Sequence, residues 1–358
     1  MIALTGSAPA GAARGSDVVR AVAAVHAAAR RRARLVVVAV GAVLVGAATA
    51  GLLLGAAGVT LPELVAALTG QGDPRTDLVV FRLRLPRVTA AVIAGVGLGL
   101  GGALFQSTLR NPLASPDILG VTGGASLAAV AAMLVLGLSG PAVAIAAFAG
   151  ALAAAAAIWA FAWRGGLTGI RFVLVGIGVA SIVSGLLGWL ITRAEVREAP
   201  AALVWMVGGF SGSGWDELGL AAAALAVVLG LTALFAPRMP LLALDDDTAR
   251  GLGVDVTRAR LVAILLGVAC VAIATALTGP IAFVALVAPP VARALVGNGR
   301  AALAASALSG AAVVLVADLV AQHALGDVAV PVGIVTGLIG APYLLWLIAR
   351  GNRKGADG

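Results

Sequence analysis

Few side chains in this sequence could do chemistry, and where they sit decides what chemistry is open to them. Arg82, Arg84 and Arg87 crowd the stretch FRLRLPRVTAAVIAG (81–95), at the lip of an apolar segment. Asp245, Asp246 and Asp247 precede Thr248, Ala249, Arg250, Gly251 and Gly253 in DDDTARGLGV (245–254). Asp318 and His323 lie near the end of another apolar segment, where an acid is expected to cap or pair at the membrane surface. Nothing resembles a metal-ligand cluster, a nucleophile triad or a pair of catalytic carboxylates. No Walker A pattern occurs, and the one lysine is Lys354 in the tail. Gly97, Gly99 and Gly102 spell G-x-G-x-x-G, but within an apolar segment rather than between a strand and a helix. The pairs Gly95/Gly99 and Gly97/Gly101 have instead the small-xxx-small spacing that lets helices approach closely. No catalytic residue, metal or cofactor is expected of this chain. Mid-membrane ionisable groups, the usual sign of ion coupling, are nearly lacking. If the chain transports, a partner that binds ATP must drive it.

The elements that position these residues follow from composition. Hydrophobic residues make up 61% and charged residues 11% of the 358, against about a quarter charged in soluble domains. This is the composition of an integral membrane protein. A span needs roughly 20 apolar residues, and the apolar stretches supply about ten. They fall near 35–57, 88–107, 118–138, 141–162, 171–191, 216–236, 260–278, 281–297, 301–321 and 331–349. Backbone groups cannot go unpaired in lipid and barrel-like alternation is lacking, so the fold is all-α and polytopic. Cys270 lies alone within a span and is read as packing. No cleavable signal peptide is expected, because the Ala-rich first residues end in the basic run Arg30–Arg34. The expected organisation is a basic cytoplasmic tail (1–34), one transmembrane domain (35–349) and a short cytoplasmic tail (350–358).

Alternating the spans from an inside N-terminus puts 18 of the 24 Lys and Arg inside and 6 outside, with both termini cytoplasmic. The inside set includes Arg110, Arg164, Arg171, Arg293 and Arg300. Four of the outside six lie between Arg75 and Arg87, against the rule the other loops obey. Two outside loops are long: 58–87, where LPELVAAL reads as a short interfacial helix, and 192–215. One inside loop, 237–260, is long and structured. Its Asp run suits a helix N-terminus, and Gly251 or Gly253 can end that helix with a left-handed residue. The loop is either a solvated helix–turn–helix or a lever that docks into a cytoplasmic ATPase.

Seven motifs recur in order: RLPR (84–87), ALFQSTLRNPLASPDILGVTGGA (103–125), WMVGGFSGSGW (205–215), DDDTARGLGV (245–254), GPIAFVALVAPPVAR (279–293), ADLVAQ (317–322) and PVGIVTGLIGAPYLLWLI (331–348). In these the chain resembles the FecCD family, permease subunits of ABC importers for iron–siderophore complexes, haem and vitamin B12. Its wording is most similar to that of the ferric-enterobactin (catecholate siderophore) permeases. The resemblance implies a type II importer fold like that of the vitamin B12 importer permease, in the cytoplasmic (inner) membrane. It further implies a second permease subunit (identical or related), two cytoplasmic ATPases and an extracytoplasmic binding protein that delivers cargo. Arg84 and Arg87, with Arg82 beside them, would then receive acidic residues of the binding protein. Asp245, Asp246, Asp247, Thr248, Arg250, Gly251 and Gly253 would couple to the ATPase. Gly176, Gly178, Trp205, Gly208 and Gly209 are candidates for lining the pathway, with Asn111 and Pro112 in the NPLASPDILG loop. Two positions depart from the family pattern: Pro290 where histidine is frequent, and Gln322 where the B12 importer has arginine. An ion-coupled transporter and a non-transporting scaffold remain the alternatives from other classes.

Overall fold

The structure is a computed structural model that describes residues 10–55, 58–117, 119–163, 169–210, 212, 214–297, 300–324 and 330–356. Arg164, and Ser211 and Ser213 of the second outer loop, lie outside the described residues. No strand occurs among them. The first helix, α1 (Ala10–Leu53), is continuous through the basic run and the first span. The outer loop after it folds into α2 (Leu61–Leu68) and the single turn α3 (Pro74–Asp77), and each begins at a capping residue. At α2 the Thr60 amide and hydroxyl donate to Glu63. At α3 the Asp73 carboxylate accepts from Arg75 and Thr76. A π-helical stretch, Leu78–Arg84, leads directly into α4 (Leu85–Leu109).

Next come α5 (Val121–Leu134), α6 (Pro141–Ala162), α7 (Gly169–Arg193), the short α8 (Ala199–Val207) and α9 (Trp215–Phe235). The inner loop holds the turn α10 (Met239–Leu242) and α11 (Asp246–Gly251). Four helices complete the bundle: α12 (Val256–Thr278), α13 (Val284–Val296), α14 (Arg300–His323) and α15 (Val332–Ala356). Among the described residues seven helices are long and apolar enough to span a bilayer, and three shorter apolar ones complete the expected set. The last residues of the expected loop, 256–260, form the first turn of α12 itself.

The short helices mark where the chain departs from simple spans. At 14 and 13 residues, α5 and α13 reach only about 20 Å, less than the ~30 Å hydrocarbon thickness. The spans expected at 118–138 and 281–297 therefore begin as non-helical backbone, which is tolerated at depth only when protein buries it. The physical reasons are local. Gly120 (φ 85°) and Phe283 (φ 66°) are left-handed, and neither can continue a helix.

The centre of the molecule is α4. A methyl added at Gly95 would stand 2.4 Å from the Ala311 Cα of α14, and one at Gly99 would stand 2.2 Å from the Ser306 carbonyl oxygen. One at Gly97 would stand 2.7 Å from the Cys270 carbonyl oxygen of α12. Gly101 lies against Val271 and the Gly267 carbonyl of the same helix. At these glycines α4 closely approaches α14 and α12. Large apolar side chains point out of the bundle on α1, α6 and α9, such as Val45, Phe161 and Leu234, as a lipid-facing surface requires.

Candidate functional site

The three arginines of the opening stretch have different surroundings. Arg82 is exposed and has no ion pair among the described residues. Arg84 donates from Nη1 to the Leu52 carbonyl (2.6 Å), closing the last turn of α1. Arg87 makes a two-pronged ion pair with Asp318 of α14, an acid only 2% exposed. Gln322, one turn on, donates to the same carboxylate (2.8 Å). The expected surface pair at Asp318 is thus an interhelical clamp. Pro86 supplies no N–H, and the Leu85 N–H reaches back to the Val80 carbonyl, which sets the wide turn that carries these arginines. Trp215 at the start of α9 donates to the Phe81 carbonyl (2.8 Å) and ties the stretch to the second outer loop.

Below this mouth, α8, the 279–283 loop and the start of α15 meet. Gly208 (φ 78°) ends α8 where a methyl would stand 2.3 Å from the Pro280 carbonyl oxygen, and the Gly209 N–H donates to the Thr278 carbonyl (2.8 Å). Trp205 is half-buried beside Gly279. Two of the α7 glycines, the pathway candidates, do not share a face: Gly176 is buried against Leu119, whereas Gly178 is exposed with open space around it. Asn111 and Pro112 are exposed just beyond the end of α4, where Asn111 Oδ1 accepts from the Leu113 N–H (2.9 Å).

Helix α13 follows left-handed Phe283 and is held at its middle and its end. At its middle Pro289 and Pro290 lack the N–H groups that would bond the carbonyls of Ala285 and Leu286. Gln106 of α4 donates Nε2 to both carbonyls, at 3.4 and 3.1 Å, while its Oε1 accepts from Arg293. At its end Arg32 donates to the Ala294 carbonyl (2.9 Å). Pro290 thus creates a second orphan acceptor, and Gln106 satisfies both. Sequence reasoning missed Gln106, although a Pro-Pro pair in a span already signals two carbonyls in need of donors.

The inner loop builds a charged node. Asp245 caps α11 by accepting the Thr248 N–H (2.8 Å), and the Thr248 side chain and backbone hold its carboxyl below the usual range. Asp246 accepts from both Arg260 nitrogens, Nη1 at 3.0 Å and Nη2 at 2.7 Å, and from Arg110 at 2.9 Å. Burial pushes the Asp246 carboxyl up, but the hydrogen bond and charge of Arg260, then of Arg110, outweigh it and lower its pKa. Arg110, left-handed at the end of α4, also donates to the carbonyls of Leu242 and Leu244. Asp247 is exposed and pairs with Arg250 (2.9 Å). Arg250, Gly251 and the large apolar Leu252 face outward, and Gly253 (φ 81°) turns the chain toward α12. Arg110 and Arg260, counted at first only as inside charges, join the ends of α4 and α12 to α11.

The sequence profile of the FecCD transport family matches residues 31–350. The ferric enterobactin transport system permease protein FepG of Escherichia coli (strain K12) is 40% identical over 85% of this chain and 92% of its own length. The achromobactin transport system permease protein CbrC of Dickeya dadantii (strain 3937) is 38% identical over 80% and 83%. The vitamin B12 import system permease protein BtuC of Shigella sonnei (strain Ss046) is 37% identical over 78% and 86%. A solved structure of an inward-facing metal-chelate type ABC transporter superposes with a TM-score of 0.80 at 28% identity, covering 88% of this chain and 99% of its own. The fold is that of a type II ABC importer permease, and such relatives are transport components of the inner membrane rather than enzymes. An all-helical bundle with a charged node on one loop, matched by the family profile over residues 31–350, belongs to the FecCD transport family.

Proposed function

We propose that this chain is the membrane-spanning permease subunit of an ABC importer for a ferric siderophore of the catecholate, enterobactin-like type. The observation that carries the transport reading is the Arg110–Asp246–Arg260 node, since an almost uncharged bundle offers one place for an outside force to enter. The cargo class rests on the similarity to FepG along nearly its whole length. A vitamin B12 cargo is the second reading, favoured by the likeness to BtuC.

In this reading the loop 237–260 faces the cytoplasm, and separate ATPase subunits bind and hydrolyse ATP. Their closure moves α11 through its exposed Arg250–Leu252 face. Asp246 passes that movement to α4 through Arg110 and to α12 through Arg260. The permease halves then rock from outside-open to inside-open. The second subunit is a related permease or another copy of this chain. Gly178 and the Trp205–Gly209 corner lie on the pathway side, and the extracytoplasmic binding protein carries most of the selectivity.

The binding protein docks on the arginine-rich mouth. Arg82 presents its charge directly, while Asp318 occupies Nε and Nη2 of Arg87 and leaves Nη1 for a partner acid. Such contacts set orientation and encounter rate and weaken with salt. The decisive experiment is iron-limited growth of a deletion strain given single siderophores, with B12 and haem uptake as controls. Loss of growth on catecholate siderophores alone is expected. Loss of B12 uptake instead would transfer the assignment to the second reading.

A further inference from the structure

The inner end of the α9–α12 seam holds a cleft of ≈ 460 Å³ that the transport reading does not use. Its wall is apolar: Leu234 and Phe235 from α9 face Val262 and Leu266 from α12. Its mouth carries Arg238, Arg258 and Asp255. Arg238 is exposed and has no ion pair among the described residues. Arg258 pairs with Asp255 (3.1 Å), with side chains 87% and 52% exposed, so water and salt leave that pair weak. Asp255 also accepts the Arg258 N–H through Oδ1 (3.0 Å) as the cap of α12. Two cations therefore face one carboxylate that is already engaged.

Depth identifies the occupant. Leu266 lies eight residues beyond Arg258, about 12 Å further into the span. Leu234 is 75% and Val262 40% exposed along the same seam, so the apolar wall opens sideways to lipid. A soluble subunit can cover the mouth but cannot reach that depth. A phospholipid fits both parts, with an acyl chain along the wall and an anionic headgroup at the arginines. Anionic lipids of the cytoplasmic leaflet gather at such basic pockets between helices.

We propose that the α9–α12 cleft binds one anionic phospholipid of the cytoplasmic leaflet, its phosphate between Arg238 and Arg258. The assignment of leaflet rests on the cytoplasmic orientation proposed above. Gly253 and Val254 also line the cleft, and with Asp255 they join α11 to α12. The lipid therefore braces the link through which α11 would move the bundle, and the anionic lipid content of the membrane tunes that link.

The test uses the full-length chain, purified, delipidated and offered phosphatidylglycerol or phosphatidylcholine, with retained lipid counted by native mass spectrometry. Phosphatidylglycerol is expected to be retained at least tenfold better. R238Q and R258Q should each lower that retention about fivefold, the equivalent of about 1 kcal/mol per arginine. R258K should keep most of it, and V262W should exclude both lipids by filling the cleft. Unfolding midpoints equal to the parent's make these losses local. Equal retention of the two lipids, or an unaltered R238Q/R258Q double variant, overturns the proposal. So does displacement of the lipid when the ATPase binds, which would give the cleft to a protein. The readout needs no ATP, cargo or binding protein, so a wrong cargo assignment leaves it untouched. Orientation is read separately, from labelling of R238C by an impermeant maleimide: reaction from the outside would overturn the leaflet assignment.

Discussion

Arg87 on the first turn of α4 and Asp318 on α14 grip each other at two points, Nε–Oδ2 at 2.9 Å and Nη2–Oδ1 at 2.7 Å. The Asp318 side chain is 2% exposed and its carboxylate also accepts from Gln322, whereas the Arg87 side chain keeps 24% of its surface in solvent. Removing only the arginine strands a buried anion. Arg87→Ala should therefore destabilise the chain by about 3 kcal/mol, and the double variant Arg87→Met/Asp318→Leu by much less. Unfolding of the purified variants in a double-mutant cycle checks this. Equal losses in the single and double variants would remove the clamp.

Docking should be read at a different arginine. Arg82→Glu is expected to slow association with the binding protein about tenfold at low salt, with a smaller effect at high salt. ATPase association should be unchanged. Stopped-flow association at two ionic strengths measures it, and an Arg82→Glu rate equal to that of the parent would move docking off this stretch.

Gln106 satisfies the acceptors that Pro289 and Pro290 leave open, so Gln106→Leu should cost about 1–3 kcal/mol for each carbonyl stranded. In a Pro290→Ala background the Leu286 carbonyl regains a helical donor, and the same substitution should cost less. Thermal unfolding of the four variants gives the cycle directly.

Asp246→Asn should uncouple the machine: ATP hydrolysis by the assembled complex continues while cargo uptake falls about tenfold or more. Asp245 still caps α11, so the helix itself persists. The pH dependence has a definite sign. The Asp246 carboxyl lies below its ordinary 3.8, so the node's stability is present above that value and lost as pH falls through the lowered one. Proteolysis of the 237–260 loop should rise only in that acid window. Protection that persists below it would show that the node does not order the loop.

Glycine substitutions should separate packing from open surface. Gly95→Ala drives a methyl into backbone 2.4 Å away on α14 and should prevent accumulation of folded protein. Gly178→Ala meets nothing within 4 Å and should leave the isolated chain as stable as before. Expression level and unfolding midpoint compare the two.

Class, span number and the glycine spacings were legible because lipid imposes them on composition and period. The half-length of α13 was not, because Ile281, Ala282 and Phe283 are apolar yet non-helical. Hydropathy reports burial, whereas the left-handed turn at Phe283 is a tertiary matter. Among the candidate sites, the Asp245 cap could be read locally, since cap and recipient lie three residues apart. The partners of Arg87 and Arg110 could not: they lie 231 and 136 residues away, and a single sequence holds no record of those meetings.

Where α4 crosses α12 and α14 there are almost no rotatable atoms between the main chains. Such a joint has no soft cushion to compress, and closely packed surfaces shift between discrete arrangements rather than deforming smoothly. These three helices must therefore swing as a single stiff block. Any flexing during a stroke falls to the sparsely packed periphery, above all α7, whose exposed face meets no other described helix of this chain.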